Sequence, residues 1–179
     1  QPRPFRLAEL GPGTGAMMAD ALRAARAAPG FIDAVDVTLV EASAALKMVQ
    51  GRTLTPAGVM TGWADRIESV PAGPAVILGN EFLDCLPVRQ AVKSGGAWRE
   101  RMVGLDPEDP ARLAFGTGPV LSPEDAALIA PALRDAADGS LAEIRPGDRQ
   151  VVDALTARFT QHTGRALFID YGPAEPETG

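Results

Sequence analysis

Phe5-Arg6-Leu7-Ala8-Glu9-Leu10-Gly11-Pro12-Gly13-Thr14-Gly15-Ala16 is the stretch whose reading decides the fold. A largely apolar run through Leu10 reads as a buried strand. Three glycines follow at alternate positions, and a helix-forming run opens at once. Glycine lets the backbone take left-handed conformations and brings a ligand close to main-chain N–H groups at a helix N-terminus, so this is a nucleotide-type turn. Working outward, apolar runs recur at Val35–Val40, Ala75–Leu78 and Ala166–Ile169, and helix-like segments lie between the early ones. Ala16–Ala28 sets Met18, Leu22 and Ala25 on one face and is ended by Pro29-Gly30, while Ser43 is placed to cap a helix running to about Gln50. Strand and helix in alternation predict an α/β fold with a doubly wound, mostly parallel sheet.

Beyond Asn80 the pattern changes. Val88–Lys93, Trp98–Leu105 and Arg112–Phe115 alternate polar and apolar residues around a turn at Ser94-Gly95-Gly96, which predicts an antiparallel, β-rich insertion at about 88–116. Ser122-Pro123-Glu124-Asp125 reads as a helix start for a helix through about Leu133. Leu141–Ile144 reads as a strand and Arg149–Thr163 as a helix leading into Leu167-Phe168-Ile169-Asp170-Tyr171-Gly172, read as a buried strand with a polar tail. No repeat or linker divides the sequence, so residues 1–179 are expected to form one domain. The first residue is not Met and a strand begins by Phe5, so the expectation is a domain truncated at both ends.

Composition removes several classes of function. The 179 residues are 46% hydrophobic and 22% charged, enough apolar material for a packed core. A net charge of −6 with scattered basic residues argues against a nucleic-acid partner, which needs clustered Lys and Arg. Cys85 is the single cysteine, so no intrachain disulfide forms. Lacking Cys or His partners at ligand spacing, it is expected to be buried packing rather than part of a metal site. No stretch approaches the roughly 18 apolar residues of a membrane helix.

Spacing alone leaves the ligand of the turn open. Gly11, Gly13 and Ala16 also satisfy the dinucleotide pattern G-x-G-x-x-G/A, which keeps a nicotinamide-dependent oxidoreductase as an alternative. Glu9 favours a different ligand, because a carboxylate at the strand end repels a pyrophosphate yet suits an ammonium or another positive centre. Pro12 removes an amide donor, which harms a phosphate cradle more than a phosphate-free site. Val40-Glu41 ends the second strand, where an acid commonly accepts both hydroxyls of a ribose.

Asn80-Glu81-Phe82-Leu83-Asp84-Cys85-Leu86-Pro87-Val88-Arg89-Gln90 resembles the MidA-like methyltransferases, the family that includes the mitochondrial protein-arginine methyltransferase for complex I assembly. Glu9–Gly15, Val40-Glu41-Ala42-Ser43, Trp98-Arg99-Glu100-Arg101-Met102-Val103 and Ile169-Asp170-Tyr171-Gly172 match in the same order and at similar spacing. The resemblance implies a Rossmann-like methyltransferase fold, S-adenosylmethionine as cofactor and a protein arginine acceptor, with a respiratory-complex subunit as the candidate partner. It also implies parts before the glycine turn and after the Asp-Tyr-Gly block. Cytoplasm for a bacterial source and mitochondrial matrix for a eukaryotic one follow from the same likeness.

On this reading Glu9, Gly11, Gly13, Gly15, Glu41 and Asn80 bind the cofactor. Trp63 and Asp65 fall where this fold contacts adenine, a ring for stacking and an acid for the exocyclic amine. Asn80, Glu81 and Asp84 are the catalytic candidates, because an arginine acceptor is cationic and carboxylates must orient it and offset its charge. On a helical turn Glu81 and Asp84 would share a face. Asp170 and Tyr171 end the last strand at the same sheet edge, where they either line the acceptor side or cap the strand; His162 is expected at a solvated helix end. A non-enzymatic alternative is an assembly module that keeps the donor pocket and acts through the insertion.

Overall fold

The computed structural model describes residues 4–172. Contacts divide them into two compact units, one from the stretches up to Cys85 and from Gln150 to Tyr171, the other from Leu86–Arg149.

The first unit is a five-stranded sheet in the order β3-β2-β1-β4-β9, every adjacent pair parallel. Its strands are β1 (Phe5–Leu10), β2 (Val35–Val40), β3 (Thr61–Ala64), β4 (Ala75–Asn80) and β9 (Gly164–Ile169). The last four residues of both β1 and β2 are buried, as central parallel strands require. The helices are α1 (Ala16–Ala25), the single turn α2 (Phe31–Ala34), α3 (Ala44–Leu54) and most of α5 (Pro146–Gln161). Met18 and Leu22 from α1 and Leu54 from α3 pack on Leu7, Val37 and Leu39 of the central strands, forming the core that fixes both helices over the sheet. Ser43 caps α3 as expected, its hydroxyl accepting from Leu46 N.

Two strands differ from expectation. β3 was not among the apolar runs: Thr61-Gly62-Trp63-Ala64 is short, and an edge strand needs no continuous apolar stretch. Among the described residues β9 pairs only with β4, and Leu167 is 54% exposed.

The second unit holds an antiparallel sheet in the order β7-β6-β5-β8, built from β5 (Arg89–Ser94), β6 (Ala97–Leu105), β7 (Leu113–Val120) and β8 (Leu141–Ile144). β8 pairs with β5, so the sheet reaches past the 88–116 stretch whose alternation was legible. The helix predicted from Ser122 is interrupted: α4 covers only Pro123–Ala127, and a separate 3-10 turn spans Pro131–Leu133. Trp98, Leu121, Ile129 and Ile144 close its core, and Arg89 is clamped by Glu100 and Asp125 through four hydrogen bonds of 2.6–3.1 Å.

Candidate functional site

In the parallel sheet the chain leaves β1 toward β2 and β3 on one side, while β4 lies on the other. The crevice beyond the C-terminal ends of β1 and β4 is therefore the topological switch point, where open α/β sheets bind ligands. Register sharpens this. Leu10 is level with Val40 and with Gly79, and Val40 with Ala64. The next residues, Asp65, Glu41, Gly11 and Asn80, thus stand side by side along one edge. At one strand spacing per step, the row covers roughly 14 Å, the scale of a nucleoside carrying a short side arm.

Gly11, Gly13 and Gly15 take φ of 61°, 53° and 82°, the left-handed region, and Gly15 is the N-cap of α1. Gly15 N donates to Pro12 O at 2.7 Å, closing the turn. A Cβ at Gly11 would stand 2.8 Å from Phe82 Cδ2, whereas one at Gly13 would meet nothing within 4 Å, so the turn presents bare backbone to open space.

Glu9 is 3% exposed, its Oε2 accepts no hydrogen bond among the described residues, and burial pushes its carboxyl up to about 7. A buried oxygen without a donor is costly. A cationic partner removes that cost, and this is the test by which the turn fits an ammonium-bearing ligand better than a pyrophosphate.

Glu41 begins after β2, its N donating to Ala64 O at 2.9 Å. Its Oε1 accepts from Ser43 N at 2.7 Å and its Oε2 from Gln50 Nε2 at 3.2 Å. Trp63, 38% exposed, donates its indole N–H to Gln50 Oε1 at 2.8 Å. Asp65 pairs with Lys47 at 2.5 Å, and that hydrogen bond and charge hold its carboxyl below the usual range.

At the other end of the row Asn80 closes β4, and Glu81 N donates to Ile169 O at 2.8 Å. Glu81 is the one described non-glycine residue with positive φ, at 48°. Such conformations store strain and gather at functional sites. The helical turn spans Leu83–Cys85, so it takes in Asp84 but not Glu81, and the two do not share a helical face. Cys85, expected to be buried, is exposed, its thiol donating to Glu81 O at 3.4 Å. The short turn after β4 keeps it at the surface. Asp170 and Tyr171 are exposed beyond β9, and His162 is half-buried at the end of α5. No group of three or more potential metal ligands occurs among the described residues.

Sequence reasoning missed Gln50 and Phe82. Gln50 entered only as a helix end, yet its side chain touches Gly13, Glu41 and Trp63. Phe82 lay inside a matching block without a role.

A Rossmann-like sheet with a glycine turn, a strand-end acid and a buried carboxyl with one oxygen unpartnered among the described residues defines a nucleoside-binding fold of the methyltransferase kind. The chain belongs to the family of S-adenosyl-L-methionine-dependent methyltransferases, which matches residues 1–179. Among its relatives, the mitochondrial protein arginine methyltransferase NDUFAF7 of Rattus norvegicus is 31% identical, with 94% of this chain and 42% of the relative covered. The homologue of Caenorhabditis elegans is 34% identical over 94% of this chain and 43% of the relative. A crystal structure from Burkholderia thailandensis bound to S-adenosyl-homocysteine superposes with a TM-score of 0.70 at 30% identity, covering 94% of this chain and 42% of that one. The chain thus spans less than half the length of the relatives it matches. The family assignment decides against the nicotinamide alternative.

Proposed function

We propose that this chain forms the donor-binding part of a methyltransferase that acts on a protein arginine side chain. The observation that carries the donor half is Glu9: a buried carboxyl with an unpartnered oxygen beneath the glycine turn, in a family whose cofactor carries an ammonium group. Glu9 and the Gly11–Gly15 turn would hold the amino-acid arm of S-adenosylmethionine, Glu41 the ribose hydroxyls, and Trp63 and Asp65 the adenine. When bound, the cofactor supplies a methyl group on a sulfonium centre.

The acceptor half rests on Asn80, Glu81 and Asp84 beyond β4, and on the relatives, which are named as protein arginine methyltransferases. Methyl transfer between two held reactants draws mainly on orientation and exclusion of water. The Glu81 and Asp84 carboxylates would pair with the guanidinium N–H donors, fix its plane and offset its charge. Reading a respiratory-complex subunit as the substrate, and the mitochondrial matrix or bacterial cytoplasm as the compartment, extends the likeness to the mitochondrial relatives.

The test is mass spectrometry of methylated arginine in proteins from cells with the full-length gene, without it, and with Glu81→Ala. The mark at specific arginines should require the gene and fall sharply with the substitution. Unchanged methylation in the deletion would sink the arginine reading.

A further inference from the structure

Gln50 is fully buried, 0% exposed, in the second turn of α3. Such a polar side chain is expected to have every group paired, and Gln50 does. Its Nε2 donates both to Gly13 O at 2.9 Å and to Glu41 Oε2 at 3.2 Å, while its Oε1 accepts from Trp63 Nε1 at 2.8 Å. The three neighbours fix the amide's orientation, since turning it over would set its oxygen against a carbonyl and a carboxylate and its NH₂ against the indole N–H. α3 lies close to the turn here, with a Cβ at Gly15 only 3.4 Å from Gln50 Cγ.

We infer that Gln50 is a positioning residue for the methyl donor, joining the glycine turn, the ribose acid and the adenine-side ring through one amide group. The inference rests on the reading of Glu41 and Trp63 as nucleoside contacts. A carboxylate has about four acceptor positions, two on each oxygen. Ser43 N takes one on Oε1 and Gln50 Nε2 one on Oε2, leaving one on each oxygen for the paired hydroxyls of a ribose. Gln50 thereby sets the angle at which Glu41 offers those positions. Binding the indole N–H holds Trp63 by its edge and leaves the ring's face for a flat ligand. The bond to Gly13 O ties the same amide to the backbone that holds the amino-acid arm. Gln50 touches no reacting atom in this scheme and acts only through its three neighbours.

Calorimetric titration of the full-length protein with S-adenosylhomocysteine tests this, with thermal melts to show that each variant is folded. Gln50→Met keeps length, loses both donors and offers only a weak thioether acceptor, and it should weaken binding by about tenfold or more. Gln50→Glu keeps the acceptor for Trp63, loses both donors and sets a second carboxylate beside Glu41, so it should weaken binding more. Its deficit relative to wild type at the same pH should shrink between about pH 8 and about pH 6, as the introduced acid takes up a proton and regains a donor. Comparison with wild type at each pH removes the contribution of Glu9.

Affinities within about twofold of wild type for both variants, or a Gln50→Glu deficit that does not change with pH, would overturn the inference. If neither variant folds, replacing Trp63 with 3-benzothienylalanine decides, since sulfur takes the place of the N–H in a bicyclic ring of nearly the same size: a several-fold loss supports the network and an unchanged affinity overturns it. Glu41→Ala separates the two levels. Unchanged binding there defeats the ribose reading itself, whereas a loss there with intact Gln50 variants defeats the positioning role alone.

Discussion

Phe82 occupies the space that a side chain at position 11 would need, so the turn after β1 and the segment after β4 are fitted to each other across the switch point. With φ at 61°, Gly11→Ala meets both an unfavourable backbone and a Cβ 2.8 Å from the ring. We expect a loss of about 2–4 kcal/mol in stability together with weaker S-adenosylhomocysteine binding. Denaturant melts and calorimetry on the full-length protein check this. Phe82→Ala in the same chain should recover only part of the stability, because it relieves the contact and not the φ.

Glu9 makes stability depend on pH in an unusual direction for a carboxyl group. Its folded value, about 7, lies above the ordinary 4.5, so the folded state prefers the protonated form. Its contribution is complete below the unfolded value and is lost as pH rises through about 7, costing the ligand-free protein about 3 kcal/mol above that point. Glu9→Gln should remove that slope and raise the melting temperature at about pH 8. It should also weaken S-adenosylhomocysteine binding, and the wild-type gain in affinity from about pH 6 to about pH 8 should vanish.

Glu81 combines strain with a proposed role in holding the acceptor. Glu81→Gly accepts a φ of 48° without steric cost and should stabilise the fold by about 1 kcal/mol while lowering methylation. A thermal melt and a methylation assay run side by side settle the matter. Loss of stability with retained activity would refute the strained-site reading.

In the second unit, Arg89 binds Glu100 and Asp125 with nearly its whole guanidinium fork, and the two carboxylates hold its proton more firmly than usual. Arg89→Met should lower the melting temperature by a few degrees without changing donor affinity. Arg89→Lys should not restore it, because an ammonium cannot pair with two carboxylates in that planar manner.

β1, β2 and β8 were legible to the residue because each run stops at a glycine or a charged residue, Gly11, Glu41 and Arg145. The positions of Glu9 and Glu41 at the strand ends were readable for the same reason, Glu9 as the last residue but one of β1 and Glu41 as the first after β2. β3 was not, because Trp63 sits among Thr, Gly and Ala in a half-exposed edge strand. Apolarity of β9 was read as burial, while among the described residues it has a strand partner, β4, on one side and leaves Leu167 and Ile169 half-exposed. Gln50 and Phe82 escaped because their contacts reach 37 and 71 positions along the chain, and no local pattern encodes them. The left-handed Glu81 escaped as well, since nothing in Asn80-Glu81-Phe82 names a backbone angle.

The unpaired oxygen of Glu9 reaches beyond affinity to heat. With its carboxyl half-protonated near neutral pH, capture of a cationic ligand drives part of a proton into the surrounding solution. The enthalpy measured for S-adenosylhomocysteine therefore includes the ionisation heat of whatever buffer receives that proton, and it should differ between Tris and phosphate while the dissociation constant stays the same.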